Sequence, residues 1–197
     1  MLNFGICKLA VFYRMIKSNN RLETSRTYLR NFCLDDLDLL YQLHSDPQVM
    51  QHFHTGPRSR LEIIKNLHDY IQHQEIYNFS NWAVFEKNTD QFIGRAGPLV
   101  WEAQQSVELS YVLHQKFWGL GFATELAGQI ITWIFKNLTV DKIVAVTTPE
   151  NLASQKVMSK VGMQLDQHTT LNGLPAVQYI IYRPDTITQI IYPDLLY

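Results

Sequence analysis

The residues best placed for chemistry lie mid-chain, in Lys116-Phe117-Trp118-Gly119-Leu120-Gly121-Phe122-Ala123-Thr124. An alternating strand pattern runs up to this stretch, and an amphipathic helix leaves it without a break. Gly119 and Gly121 carry no Cβ, so the backbone there can approach a ligand closely. The first amides of the following helix have no partners within it and carry partial positive charge, which suits a phosphate. A tight strand-to-helix turn that needs glycine for conformation alone is the plain alternative, and the local pattern does not choose between the two.

Several other chemistries are excluded by what the residues lack. A dinucleotide fingerprint requires glycine or alanine at its third position and a nearly all-apolar strand before it. Here Thr124 takes that position, and the strand alternates and carries Glu108. No Gly-Lys-Ser/Thr loop is present for a nucleoside triphosphate, and no Gly-x-Ser-x-Gly elbow for a hydrolase. The histidines, among them His52, His54, His68 and His73, lack the His-Glu-x-x-His spacing or a Cys/His cluster. No metal is expected.

The elements that must position the glycine stretch follow from hydrophobic period and punctuation. Arg26 to Phe32 alternates as a first strand. Asp35 and Asp36 stand as N-cap and acidic first turn before a helix through Leu37, Leu40 and Tyr41, which Asp46-Pro47 ends. Ser59 and Glu62 form a capping box, and Leu61, Ile64, Leu67, His68 and Ile71 are expected on the buried face of the helix that follows. Strands are predicted at Trp82–Glu86, Phe92–Val100 and Val107–His114, the second at an edge or broken near Pro98. In the third, Val107, Leu109, Tyr111 and Leu113 share one face, while Glu108, Ser110, Val112 and His114 share the other.

After the glycines, a broad apolar face (Phe122, Ala123, Leu126, Ala127, Ile130, Ile131, Ile134, Phe135, Leu138) predicts a helix packed hard against a sheet. Lys142–Thr148 then returns as a strand parallel to its predecessor. Pro149-Glu150-Asn151 opens a helix ending at Gly162, and Asn172-Gly173 is a hairpin turn between two last strands. The expected fold is α+β: a single domain whose mostly antiparallel mixed sheet contains one parallel junction.

Composition agrees with an ordinary soluble protein: 197 residues, 46% hydrophobic, 18% charged and a formal net charge of −1. That charge supplies no field toward nucleic acid or an anionic membrane, and no apolar run is long enough to span a bilayer. With Cys7 and Cys33 alone, no disulfide framework is expected and a cytoplasmic setting fits. Lys8 and Arg14 interrupt the apolar Leu9–Tyr13 run, which argues against a signal peptide. Residues 1–23 read as an N-terminal extension, or the natural start is Met15. Residues 24–183 read as the domain and 184–197 as a C-terminal tail.

Taken together, the strand Glu108-Leu109-Ser110-Tyr111-Val112-Leu113, the stretch Phe117 to Glu125, and the later Asn151-Leu152-Ala153-Ser154-Gln155-Lys156-Val157-Met158 through Gly162-Met163 resemble the GNAT acyl-CoA N-acyltransferases. The opening strand and Asp46-Pro47-Gln48-Val49-Met50 are similar to the branch that acetylates ribosomal-protein N-termini. The resemblance covers residues 24 to 183 and implies acetyl-CoA as cosubstrate, lying in a splay between the Glu108 and Lys142 strands. It implies that backbone amides from Lys116, Phe117, Trp118, Gly119, Leu120, Gly121 and Phe122 hold the pyrophosphate, with Ala123 and Thr124 in the first helical turn. The family's usual Gln or Arg at the head of this loop is Lys116 here. Val112 and Leu113 would offer backbone hydrogen bonds to the pantetheine arm, and Asn151 would meet it from the opposite strand end; a plain N-cap is the alternative for Asn151.

The implied reaction needs a neutral amine and a proton for the departing thiolate. Glu108, on the polar face of its strand, is the expected base; without the resemblance it would read as an exposed strand residue. Many family members place a tyrosine where this chain has Met158, which cannot donate a proton. The related branch has a serine at Ser154, which makes Ser154 the expected donor. The implied function is acetyl transfer to a primary amine, with a protein N-terminus favoured by the branch and small-molecule amines left open. A non-catalytic acyl-CoA-binding module is the competing class. The acceptor cleft is expected between the Asp36–Tyr77 helices and the Asn172 hairpin, and the protein is expected as monomer or homodimer.

Overall fold

The structure, a computed structural model, describes residues 22–101 and 106–184. Eight strands form one sheet in the order β1-β2-β3-β4-β5-β6-β8-β7. They are β1 (Leu22–Glu23), β2 (Thr27–Asn31), β3 (Trp82–Glu86), β4 (Phe92–Trp101), β5 (Ser106–Leu113), β6 (Lys142–Thr147), β7 (Gln164–Leu171) and β8 (Leu174–Tyr182). Every neighbouring pair is antiparallel except β5 and β6, which are parallel. β1 lies ahead of the expected domain start at residue 24, so the sheet reaches into the stretch read as extension. Cys7, the Met15 start, the Trp101–Gln105 turn beyond Trp101 and nearly all of the tail lie outside the described residues.

The alternation in β5 does what a period of two requires: it feeds two cores. Val107, Leu109 and Leu113 pack with α4 (Phe122–Asn137) and α5 (Leu152–Lys160) on one face. Val112 joins the core under α1 (Leu37–Ser45), α2 (Pro47–Met50) and α3 (Arg60–Tyr77) on the other. The broad apolar face of α4 is fully used, with Leu126, Ala127, Ile130, Ile131 and Ile134 at 0% exposure. Its last carbonyls are tied by Arg183, whose Nη1 donates to Phe135 O and Nη2 to Leu138 O, each at 2.6 Å.

Three local expectations are corrected. The buried face of α3 is Ile63 and Leu67, with Tyr70 and Ile71 beside them. Leu61 is 76% exposed, and Ile64 and His68 also point outward. Leu67 and Ile71 lie within reach of either stripe at helical spacing, so apolar side chains alone did not fix the rotation of this helix; packing on α1 did. The capping box that starts it is present, Ser59 N and Oγ donating to Glu62 Oε2 at 2.8 and 2.7 Å.

At the start of α1, the chain enters through a 3₁₀ turn, Leu34–Asp36. The Asp36 carboxylate makes a two-pronged pair with Arg30 (2.7 Å each) and does not cap the helix with its side chain. That pairing holds the Asp36 carboxyl below its ordinary range, against burial acting the other way.

β4 is also not an edge strand. It lies between β3 and β5, but pairing with β3 ends at Ala96, so Pro98 falls where no ladder partner remains on that side. There the Ser80–Asn81 backbone crosses so closely that a Cβ on Gly97 would sit 2.3 Å from Ser80 O. At the other end of the sheet, Asn172 (φ 52°) and Gly173 (φ 79°) make the expected hairpin turn.

Candidate active site

The parallel pair is short. Only Val107 with Ile143 and Glu108 with Val144 are in register; beyond them β5 continues to Leu113 against β4, and β6 to Thr147 against β8. The strands therefore diverge, leaving facing backbone edges with no common ladder. A cavity of about 600 Å3 opens in this splay. Its walls are β5 from Glu108 to Leu113, β6 and its end from Ala145 to Thr148, the start of α5, the glycine loop, the 52–58 loop after α2, and the β7–β8 hairpin tip.

The glycine loop joins β5 to α4 through a 3₁₀ turn, Gln115–Phe117. Gly119 and Gly121 have φ of +73° and +83°, a left-handed conformation that other residues adopt only with strain. The first amide to bond back within α4 is that of Glu125, to Gly121 O. The amides of Phe122, Ala123 and Thr124 therefore precede the ladder. Arg26 fastens this end: its Nε donates to Glu125 Oε2 at 2.6 Å, its Nη1 to Leu120 O at 2.9 Å, and its guanidinium lies 4.1 Å from the Phe122 ring centre.

Of the residues singled out in the sequence, Glu108, Val112, Leu113, Phe117, Trp118, Gly119, Gly121, Ala123, Thr124, Asn151 and Ser154 all line the cavity. Lys116, Leu120 and Phe122 do not: Lys116 lies against the Phe117 ring, Leu120 is largely exposed, and Phe122 is buried against Phe117. Trp118 Nε1 donates to Leu113 O at 2.8 Å, occupying one lone pair of a carbonyl expected to face a ligand. Asn151 Oδ1 accepts from Ser154 N at 3.1 Å, so it caps α5, as its alternative reading had it. Among the described residues, that cap leaves the amide nitrogen of Asn151 uncommitted.

Glu108 is mostly buried, not an exposed strand residue, and it fronts the cavity. Burial pushes its carboxyl up from 4.5 to about 7, with Arg95 opposing. Arg95, itself 7% exposed, donates from Nη1 to Ser110 Oγ (2.8 Å) and Asn81 Oδ1 (3.0 Å) and from Nε to His44 Nε2 (3.1 Å). His44 is driven down to about 2 by burial and by the nearby cations Arg95 and Arg58, with His114 adding to them, so it is a neutral acceptor. His73 is likewise structural, its ring nitrogens engaged by Phe79 O and Val100 N. Among the described residues no group of three potential ligands could hold a metal.

Two functional candidates escaped the sequence. Tyr111 was read as one more apolar-face residue, yet its hydroxyl reaches the cavity wall, 2.9 Å from Ser154 Oγ and 3.2 Å from Ser154 O. Burial raises it to about 12, against the Ser154 bond, so it stays protonated. A phenol on a core face must find a polar partner, which was the available signal. Arg95 carried a signal too, a lone cation within the apolar run Phe92–Val100.

A slot between parted strand edges, a left-handed glycine loop, and helix-start amides fit a ligand with an amide-bearing arm and a pyrophosphate. One buried polar atom in the wall supports the fit: Thr148 Oγ1 has no partner among the described residues. Fold and site together define an acyl-CoA-dependent N-acyltransferase. Residues 26–164 match the acetyltransferase (GNAT) domain, and the chain belongs to the GNAT acetyltransferase family, which uses acetyl-CoA.

It is 30% identical to the uncharacterised N-acetyltransferase p20 of Bacillus licheniformis over 145 residues, 73% of this chain and 82% of that one. Among solved structures it is similar to RimL, a ribosomal L7/L12 alpha-N-protein acetyltransferase in complex with coenzyme A. The TM-score there is 0.70 at 16% identity, covering 83% of this chain and 98% of that one. It is also similar to a spermidine N-acetyltransferase from Vibrio cholerae in complex with CoA and spermine. For that structure the TM-score is 0.67 at 19% identity, covering 80% and 96%.

Proposed function

We propose that this chain transfers an acetyl group to a primary amine by direct attack of the amine on the thioester, and that the amine is a protein N-terminus. Acetyl-CoA supplies the activated acetyl group. The amides of Gly119, Gly121, Ala123 and Thr124, which line the cavity, would bind its pyrophosphate. The Val112–Leu113 edge and Asn151 would flank its pantetheine arm. Arg26 keeps this cradle in place from outside.

The observation that carries the reading is the position of Glu108, a carboxylate on the last rung of the parallel β5–β6 pair that fronts the cavity and that burial raises toward neutrality. Near pH 7 it accepts the proton that an ammonium nucleophile must lose, directly or through water. On the opposite wall Ser154 Oγ holds a proton for the leaving sulfur, and the Tyr111 hydroxyl orients and resupplies it. The non-catalytic alternative drew its weight from Met158, which is 1% exposed and packed in the core. A phenolic donor on β5 offsets that loss from a different element. The exposed Cys33 thiol suits a reducing cytoplasm.

Fold likeness spans protein and polyamine acetyltransferases and does not select the acceptor. The test is CoA release from acetyl-CoA against a panel of N-terminal peptides and small amines, alongside calorimetric titration of acetyl-CoA. Acceptor-dependent release by peptides upholds the reading. Tight cofactor binding with no release across the panel returns the chain to the binding-module class.

A further inference from the structure

The cavity walls hold charges that the transfer chemistry does not use. Glu108 is the one carboxylate among the described lining residues, whereas Arg58, Lys156 and Lys160 are cations. Lys156 and Lys160 stand on α5, on the Ser154 side. Arg58 stands across the cavity, in the loop that also brings His52, Phe53, His54 and Thr55 to the wall.

Its placement is built. The Arg58 amide donates to His44 O at 2.8 Å, the residue follows the Gly56-Pro57 turn, and Ser59 next to it caps α3. Yet the Arg58 Nε is shielded from solvent and has no acceptor among the described residues. Glu62 feels this cation, but its Oε2 is held by Ser59 N and Oγ and it makes no hydrogen bond to Arg58 Nε. The neighbouring His44 is neutral and its Nε2 already accepts from Arg95. A shielded N–H left unpaired on this half-buried side chain is costly, and a guanidinium's planar fork matches a carboxylate. A second ammonium on the acceptor would instead meet Arg58 with no acid to receive it, which disfavours polyamines.

We infer that Arg58 forms an anion subsite for the acceptor, and that the preferred acceptor is a peptide with an acidic side chain at its first or second residue. This rests on Glu108 receiving the α-amine, as proposed above. The cavity's Phe53 and Val49 would cover the peptide's apolar atoms while Arg58 takes the carboxylate.

The test compares tetrapeptides of sequence Ser-Glu-Ala-Ala, Ser-Gln-Ala-Ala and Ser-Lys-Ala-Ala, with spermidine, on wild type, Arg58→Gln and Arg58→Lys. CoA release is followed, and the same peptides are titrated calorimetrically into the CoA-loaded protein. A charge-assisted pair predicts a wild-type kcat/KM at least about tenfold higher for the Glu than for the Gln peptide. That ratio should fall toward one in Arg58→Gln and recover in part in Arg58→Lys. Equal rates for Glu and Gln peptides in wild type, or a preference that survives Arg58→Gln, overturns the inference. If no acceptor releases CoA, calorimetry separates the two claims. Glu-peptide binding lost in Arg58→Gln upholds the subsite while the base role falls; binding that is absent or indifferent to Arg58 overturns the subsite.

Discussion

Replacing Glu108 by glutamine should make the protein slower and, at alkaline pH, more stable. In the folded chain the carboxyl keeps its proton to about pH 7, whereas its ordinary value is 4.5. Between those limits the folded state binds more protons than the unfolded one, so stability falls as pH rises through that window. Holding the proton to about pH 7 is worth at most about 3 kcal/mol at pH 8, because the carboxyl fronts a cavity that water can enter. Glutamine has nearly the same shape and no charge to desolvate. Glu108→Gln should then melt higher than wild type at pH 8, by up to roughly 5–10 °C for a domain of this size, and match it near pH 4.5. Loss of the base should cut turnover by about 10²–10⁴ and remove the rise in rate through pH 7. Thermal melts at the two pH values, together with a pH–rate profile of CoA release, read both effects. Equal melting at pH 8 with an unmoved rate profile would refute both the desolvated carboxylate and its role as base.

Three further expectations follow from the walls of the same cavity. Ser154→Ala should lower turnover with little change in acetyl-CoA affinity, and Tyr111→Phe should lower it less; wild-type turnover in both would retire the donor pair. Arg26→Ala loosens the glycine loop and should raise the KM for acetyl-CoA about tenfold with a smaller effect on kcat, a ratio consistent with loss of charged hydrogen bonds; an unchanged KM counts against the clamp. Arg95→Lys or Arg95→Met removes fixed positive charge geometry behind Glu108, so the acid limb of the pH–rate profile should move above pH 7 in Met and less in Lys; a limb that stays put in both separates Arg95 from the base.

The parts of the fold that sequence disclosed were those with a local physical code. The β5 faces followed from a period of two, the α3 start from Ser59 and Glu62, and the last turn from Asn172-Gly173. The glycine loop and the Asn151 helix were located by their order along the chain. What local pattern could not carry was information held in a partner element. Whether α3 buries Leu61 or Ile63 depends on α1 lying over it, and whether Pro98 is at an edge depends on where β3 stops. The site divided in the same way. Glu108 and Ser154 were visible as types at positions, whereas the Tyr111 contact joins residues 43 apart in sequence and the Arg95 network joins four separate elements and loops.

The two-rung junction between β5 and β6 has a thermodynamic side. Two blocks of strands, β1–β5 and β6–β8, share one ladder of two residue pairs. The backbone edges beyond it are left for solvent or ligand. A cofactor that bridges both edges binds only the folded sheet, and so adds its own binding energy to folding, about 2.7 kcal/mol at a hundredfold excess over Kd. That increment is a sizeable share of the stability of an ordinary domain. Added acetyl-CoA should therefore raise the melting temperature, which makes a melting curve a gauge of cofactor occupancy.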